Sequence, residues 1–287
     1  MYSRLQLVRK YIRYYLTASN GKGHGIHSPF VYDFIRNVLN DDRVYDAYVP
    51  IGTLRAGLLK DKTLLEVEDM GAGSAVGGGR QRSVGDIARN AAKPEKLGRL
   101  LYRIARYYKC TAVVELGTSL GLSTAYLAFG ASGCKLQATS NELQAASEEK
   151  NVDKRPWVWT IEGAGAVAAV AAKNFHELGL ENITLIVGNF DEKLGGVLKQ
   201  ADNIDLAFVD GNHRLEPTLR YFHLLMSRCA PSSILIFDDI HWSAEMEEAW
   251  ARIQDDPRVY MTIDLFFIGL VVLRNEFKVK QHFVIRV

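Results

Sequence analysis

The chain is short of cysteine, of net charge and of long apolar runs, and each shortage narrows the class of protein. Three cysteines in 287 residues are too few and too widely spaced for a disulfide framework or a zinc cluster. A formal net charge of +2 gives no reason to expect a nucleic-acid partner. The longest apolar run, residues 265–273, is too short to span a bilayer, and the basic N-terminus lacks the apolar core of a signal peptide. We therefore expect a cytoplasmic protein that binds neither nucleic acid nor membrane.

The first 95 residues show no repeated alternation of strands and helices. They begin with LQLVRKYIRYYL, a helical pattern that is basic on one side and apolar on the other. We favour a helix that packs on the main domain by its apolar face, with a helix lying on a membrane surface as the alternative. The glycine-rich stretch at 71–83 lacks the Lys-Ser/Thr ending of a phosphate-binding loop, so we predict a flexible linker or lid. The expected unit is an N-terminal helical extension, residues 1–95.

From residue 96 onward, apolar strands alternate with helices. Strands are predicted at 112–116, 158–161, 183–187, 204–209 and 234–237, with helices at 122–130, 165–178, 191–199 and 216–229. Strands that are apolar throughout predict a parallel sheet covered on both faces. The C-terminal part indicates two strands joined near 267–269 and a last strand, and the polar stretch 137–157 indicates a surface insertion. The predicted fold is α/β, a Rossmann-like doubly wound and mostly parallel sheet with a C-terminal antiparallel hairpin.

Polar residues gather where the predicted strands end. Ligands of open parallel sheets bind beyond the carboxyl ends of the strands, and an unpaired charge inside the core would be costly. We therefore expect these residues to line a cleft. Strand by strand, the candidates are Glu115, Gly117, Thr118, Ser119 and Gly121; Glu162 and Gly163; Asn189 and Phe190; Asp210 and His213; and Asp238, Asp239 and His241.

The loop after the first strand, ELGTSLG, argues for a nucleoside ligand without phosphates. A dinucleotide fingerprint is G-x-G-x-x-G, whereas here the spacing is G-x-x-x-G with Ser119 where the middle glycine should stand. The Ser119 side chain would crowd a pyrophosphate, which argues against NAD. Glu162 is then placed to accept hydrogen bonds from both ribose hydroxyls, and Phe190 to lie against an adenine.

These motifs resemble those of class I S-adenosylmethionine-dependent methyltransferases over residues 96–287. ELGTSLG resembles their first motif, TIEG their ribose-binding acid and GNF their adenine-side loop, while the closing hairpin resembles their antiparallel strand. Within the class, the chain is similar to the small-molecule O-methyltransferases of the catechol and caffeoyl-CoA type. The resemblance implies S-adenosylmethionine as cofactor and a small-molecule hydroxyl as acceptor. The cofactor would be bound by the candidates after the first three strands together with Asp210.

The same resemblance implies a divalent cation. Asp210, Asp238 and Asp239 would be its ligands, and their hard oxygen donors suit Mg²⁺. Two residues differ from the family pattern. Asp239 stands where the family has a metal-binding asparagine, and His213 stands where the family has the lysine that acts as the base. Imidazole has an ordinary pKa of about 6.5, which suits proton removal near neutral pH. His213, Asp210 and His241 are therefore the catalytic candidates, and a metal-assisted and a metal-free mechanism both stay open.

Two other functions compete with methyl transfer. One is an NAD-linked oxidoreductase, which the first loop disfavours, and the other is a non-catalytic S-adenosylmethionine-binding protein of the same fold. Residues 1–95 resemble the corresponding part of bacterial methyltransferases, where we expect a lid over the substrate. The expected partners are a small-molecule acceptor and a second copy of the chain in a homodimer.

Overall fold

A computed structural model describes residues 1–67, 81–132 and 156–287 of the chain. Most of the glycine-rich stretch, Cys134 and nearly all of the predicted surface insertion lie outside the described residues. Among the described residues, no helix combines the length and the apolar character that a bilayer span requires.

The N-terminal region is mainly helical. A capping box formed by Ser3 and Gln6 starts its first helix, and Pro29 occupies the first turn of the second helix, where a missing N–H costs nothing. The second helix runs into a single π-helical turn at Ile35–Leu39. The elements are α1 (Arg4–Thr17), α2 (Pro29–Phe34), α3 (Tyr48–Leu58), the antiparallel pair β1 (Leu64–Glu66) and β2 (Gln81–Ser83), and α4 (Val84–Asn90).

Helix α1 packs on the rest of the molecule along a narrow aromatic stripe. The rings of Tyr11 and Tyr14 lie 5.0 and 5.1 Å from that of Phe266. The Tyr14 hydroxyl donates a hydrogen bond to the backbone carbonyl of Ile285, and the chain just after α1 bridges to Ile285. The apolar side of α1 is only partly covered, because five of its large hydrophobic side chains are exposed: Leu5, Val8, Ile12, Tyr15 and Leu16.

The main sheet has eight strands within the described residues. Its order is β5-β4-β3-β6-β7-β9-β8-β10, and β9 alone among these strands runs antiparallel to its neighbours. This arrangement confirms the predicted mostly parallel, Rossmann-like sheet with its C-terminal antiparallel hairpin. The strands are β3 (Ala112–Leu116), β4 (Trp157–Glu162), β5 (Ile183–Val187), β6 (Ile204–Val209), β7 (Cys229–Asp238), β8 (Met261–Asp264), β9 (Ile268–Val272) and β10 (Gln281–Val284).

Helices cover both faces of this sheet because successive strand residues point to opposite sides. Val113 faces a core layer that also contains Val31 and Phe34 of α2, while Val114 faces a second layer that contains Phe222 and Trp250. The extension thus shares a hydrophobic core with the sheet. The remaining helices are α5 (Glu95–Tyr107), α6 (Leu122–Ser132), α7 (Gly165–Glu177), α8 (Phe190–Gln200), α9 (Leu215–Met226) and α10 (Ala244–Asp255).

The strand order decides where the functional side chains meet. Strands β4, β3, β6 and β7 are consecutive neighbours in the sheet and run parallel. Their carboxyl ends therefore lie at one edge, and the loops that follow them are adjacent in space.

Candidate active site

The loop between β3 and α6 needs glycine at two positions. The backbone φ angles are +103° at Gly117, +48° at Ser119 and +82° at Gly121, a region that residues with side chains rarely adopt. A Cβ atom on Gly117 would lie 2.9 Å from the carbonyl carbon of Asp210 and closer still to its oxygen. The Gly117 amide also donates to the carbonyl of Ile161 at 3.0 Å. The loop is therefore held against the ends of both neighbouring strands, which leaves no room for a side chain.

Glu162, at the end of β4, is tied to the same loop. Its Oε2 accepts a hydrogen bond from the Ser119 amide at 2.8 Å, and its Oε1 accepts one from the Ala164 amide at 2.9 Å. Gly163 is half-buried and lies in the bend between Glu162 and Ala164. Since each carboxylate oxygen can accept a second hydrogen bond, the group is oriented beside the loop with acceptor capacity for a vicinal diol.

Glu115, a predicted cofactor residue, points into the core beneath the loop. Its side chain is fully buried, and Oε2 accepts hydrogen bonds from Thr160 at 2.7 Å and from Thr124. Burial raises the pKa of Glu115 to about 7, although the two threonine hydroxyls oppose that rise. Thr118, another predicted cofactor residue, lies 2.6 Å from the Thr160 hydroxyl. These buried groups join β3, β4 and α6 beneath the loop.

Asn189 and Phe190 begin α8. The Asn189 side chain caps the helix by accepting a hydrogen bond from the Asp191 amide at 2.8 Å. The Phe190 ring meets Tyr221 edge to face at 5.9 Å, and a side chain at Gly211 would collide with that ring. The position of Phe190 is thus fixed by the loop after β6.

Five ionisable side chains form a group that we call the charge cluster: Lys93, Asp210, His213, Asp238 and Asp239. The Lys93 ammonium lies 2.9 Å from Asp210 Oδ1 and makes an ion pair with Asp238. The His213 Nε2 lies 3.6 Å from Asp210 Oδ1 and 3.9 Å from Asp239 Oδ2. The side chain of Asp238 is 2% exposed and that of Lys93 15% exposed, so the ion pair is shielded from water.

The loops that carry the cluster contain two left-handed residues. Asn212 has a φ angle of +58° and Asp239 one of +55°. Asparagine and aspartate tolerate this conformation better than other residues with side chains. The Asp239 amide donates to the carbonyl of Phe267 at 2.7 Å, which fixes the turn after β7 against the hairpin.

Burial and mutual repulsion shift the pKa values of the cluster. Burial by itself would lower the pKa of Lys93, but Asp210 and Asp238 outweigh it and raise that pKa, so the ammonium stays charged. Burial raises the pKa of Asp210 and brings that of Asp239 to about 7, and the charge of Asp238 adds to both. Burial lowers the pKa of His213, which is therefore neutral near pH 7.

His241, a predicted catalytic residue, makes its contacts elsewhere. Its Nδ1 lies 3.0 Å from Glu247 and its Nε2 lies 2.8 Å from Asp264, while the ring stacks on Phe266 at 5.2 Å. Burial alone would lower the pKa of His241, but these two carboxylates raise it. The two carboxylates favour the protonated form of the imidazole and hold its ring between α10 and β8.

One family model matches the central part of the chain. Residues 114–240 match the family model described as a methyltransferase domain, a range that contains the loop, Glu162 and most of the charge cluster. The chain therefore contains a methyltransferase domain over these residues. A comparison with curated proteins gives no match.

Solved structures show the same fold at low sequence identity. The methyltransferase is similar to the S-adenosylhomocysteine-bound methyltransferase PaMTH1 from Podospora anserina, with 13% identity, a TM-score of 0.55 and coverage of 96% of this chain and 98% of that chain. It is also similar to a cofactor-bound protein, Rv0187 from MTB, with 17% identity, a TM-score of 0.52 and coverages of 86% and 97%. A third similar structure is an O-methyltransferase from Bacillus cereus in complex with S-adenosylhomocysteine. Its sequence identity is 16% and its TM-score 0.50, and the match covers 81% of this chain and 93% of that chain.

The charge cluster of the methyltransferase does not fit the predicted Mg²⁺ ion. Asp210, His213 and Asp238 each offer an atom within 4.8 Å of the others, a spacing that one ion can bridge. The Lys93 ammonium, however, contacts the carboxylates of Asp210 and Asp238 directly. A second cation on the same oxygens would be repelled by the first, so the predicted ligands are already neutralised in part by the protein itself.

Lys93 is the member of the cluster that could not be predicted from the residues at the ends of the strands. It precedes α5 in the chain and follows no strand of the main sheet. The one local signal is Pro94, which restricts the backbone of the preceding residue to extended conformations and marks a helix start. The structure brings Lys93 together with the predicted Asp210, Asp238, Asp239 and His213, and it leaves Glu115 and His241 outside that group.

Proposed function

We propose that the methyltransferase moves a methyl group from S-adenosylmethionine to a hydroxyl oxygen of a small molecule. The observation that carries this proposal is the position of His213. A half-buried imidazole with a lowered pKa lies 3.6 Å from Asp210, and the backbone of Asp210 packs directly against Gly117 of the cofactor loop. A neutral base thus lies directly behind the loop expected to hold the methyl donor.

The residues of the loop support the choice of cofactor. Gly117 and Gly121 let the backbone approach a ligand closely, while Glu162 presents an oriented carboxylate beside it. The structures from Podospora anserina and Bacillus cereus contain S-adenosylhomocysteine, the product form of this cofactor. When bound, S-adenosylmethionine would supply a methyl group activated by its positive sulfur.

His213 would act as the general base. Its neutral ring can take the proton of an acceptor hydroxyl at a ring nitrogen, and a base whose pKa lies near the working pH is efficient. A phenol has a pKa near 10, as tyrosine does, so it loses its proton to imidazole far more readily than an aliphatic alcohol does. A phenol-like hydroxyl is therefore the acceptor that this base suits best.

Calorimetric titration with S-adenosylhomocysteine, followed by its release in the presence of a panel of phenols, tests the proposal. We expect His213→Ala to lower kcat about 100-fold or more while the Kd for S-adenosylhomocysteine changes little, because general bases contribute roughly 10²–10⁴-fold. The matched control is His223→Ala, a histidine in the last turn of α9 whose side chain is 56% exposed; it should keep full activity. Binding without turnover on any phenol would favour the non-catalytic alternative. Binding of NADH in place of S-adenosylhomocysteine would favour the oxidoreductase.

The homodimer, the cytoplasmic location and the division at residue 95 stay predictions. Light scattering of the purified chain tests the dimer, since it gives a mass that can be compared with the 32.1 kDa of one copy.

A further inference from the structure

We infer that the Lys93 ammonium takes the place of a divalent cation, so that the methyltransferase works without metal and Lys93 supplies the positive charge beside the acceptor oxygen. The catalytic half of this inference rests on the proposed function, whereas the exclusion of metal from the site does not.

The geometry of Lys93 is that of a built counter-ion. Its ammonium reaches Asp210 Oδ1 at 2.9 Å and pairs with Asp238, and those two carboxylates are among the three predicted to bind the metal. The side chain of Lys93 is 15% exposed, and that of Asp238 is 2% exposed. Ordering and desolvating a long charged side chain costs free energy, and here the two carboxylates compensate for that cost.

The backbone of Lys93 is also held in place. The Arg55 guanidinium of α3 donates a hydrogen bond to the Lys93 carbonyl at 2.7 Å. Pro94 follows directly and restricts the conformations open to Lys93. Helix α5 begins at Glu95. Lys93 thus lies in the short connection between α4 and α5, and its backbone is held there by α3 and by the start of α5.

Lysine and a divalent cation cannot share these oxygens. Mg²⁺ requires ligands at about 2.0–2.1 Å in near-octahedral geometry, so an ion bound by Asp210 and Asp238 would lie within a few ångströms of the ammonium. The two positive charges would repel each other strongly in this buried site. Binding of the metal would require Lys93 to leave, and its departure would break two ion pairs.

The ammonium can supply the charge that a metal supplies. It carries three N–H donors, and among the described residues two of them are directed at Asp210 and Asp238. The third can bind the acceptor oxygen. During transfer, the bond from this oxygen to the methyl carbon forms as the carbon–sulfur bond breaks, the sulfur keeps the electron pair, and the hydroxyl proton goes to His213. Lys93 keeps its own protons and stabilises the oxygen as it becomes negative.

Titration with Mn²⁺ tests the exclusion of metal without any need for activity. Electron paramagnetic resonance measures free Mn²⁺, and thermal unfolding measures stabilisation by the ion. We expect no binding and no Tm change for the full chain. Lys93→Ala removes the ammonium and leaves the carboxylates, so it should bind Mn²⁺ at least 100-fold more tightly than the wild type and gain thermal stability from it. The control is Lys96→Ala, an exposed lysine one helical turn further along, which should behave as the wild type.

Stoichiometric Mn²⁺ binding by the wild type, or loss of its activity in EDTA with recovery on added Mg²⁺, would overturn the inference. If Lys93→Ala does not fold, the wild-type titration still decides the question. Activity tests the catalytic half: in the presence of EDTA, the kcat of Lys93→Ala should be at least tenfold lower than that of the wild type. A kcat of Lys93→Ala equal to that of the wild type would refute the catalytic role of Lys93. Failure of the proposed function itself would appear separately, as an absence of S-adenosylhomocysteine binding to the wild type.

Discussion

Replacing Gly117 by alanine tests the cofactor loop most directly. The new Cβ would lie 2.9 Å from the carbonyl carbon of Asp210 and nearer still to its oxygen. An ordinary contact needs about 3.5 Å or more, so the loop and the backbone that follows β6 must separate by more than about 1 Å. The substitution also forces alanine to a φ angle of +103°. Both effects act on the same two strand ends.

The size of the effect follows from these two costs. Holding a residue with a side chain in a disfavoured backbone region costs about 1–3 kcal/mol, and overpacking a close contact costs about 1–3 kcal/mol. Taking about 2 kcal/mol for each gives a loss of roughly 4 kcal/mol in the free energy of unfolding. At about 2–4 °C per kcal/mol for a large domain, Tm should fall by roughly 8–16 °C.

Differential scanning fluorimetry and calorimetric titration measure the two outcomes of Gly117→Ala. We expect the lower Tm together with at least a tenfold weaker Kd for S-adenosylhomocysteine, because the displaced loop carries the Ser119 amide that orients Glu162. Gly195→Ala is the matched control: this glycine is exposed within α8 with no atom within 4 Å of a new Cβ, so alanine should stabilise by about 0.5–1 kcal/mol. Unchanged binding in Gly117→Ala would show that the cofactor lies elsewhere.

Two further substitutions probe the groups around the loop and the hairpin. Glu162→Ala should weaken the binding of S-adenosylhomocysteine at least tenfold in a calorimetric titration, because charge-assisted hydrogen bonds contribute about 1.5–3 kcal/mol each. An unchanged Kd would show that Glu162 does not hold the ribose. His241→Gln should change how stability depends on pH. The folded-state pKa of His241 is raised, so its contribution is fully present below its ordinary pKa of about 6.5 and is lost as pH rises through the raised value. Urea unfolding from pH 6 to 9 should show the gap between wild type and variant narrowing with pH, and a constant gap would contradict the assignment.

The sheet and its outer helices could be predicted because their signals are local. An apolar run such as 204–209 predicts a central strand from its own residues alone. The structure has this strand at the predicted bounds. The carboxyl ends of these strands then bring Asp210, His213, Asp238 and Asp239 into one cluster. Strand periodicity and topology alone are enough for that step.

The positions of three side chains could not be predicted in the same way. Lys93 reaches the cluster from a segment outside the main sheet, and no local pattern says which carboxylate a distant lysine will meet. Glu115 sits on a strand whose residues alternate between faces, and it turns into the core toward Thr160. His241 follows the same strand as Asp239, but its ring lies between the carboxylates of Glu247 and Asp264. Each outcome depends on tertiary contacts between segments far apart in the chain.

The hydrogen bond from Tyr14 to Ile285 joins residues 271 positions apart. Helix α1 is synthesised long before Ile285, which lies directly after β10 and accepts the hydrogen bond from Tyr14. Closing so long a loop is entropically costly and slow, so this contact should form late in folding. Until then the Tyr14 hydroxyl has no partner at the sheet edge, and α1 docks only after the rest of the sheet has assembled. The same coupling makes α1 and β10 one cooperative unit in the native state: when either is released, the other loses its neighbour.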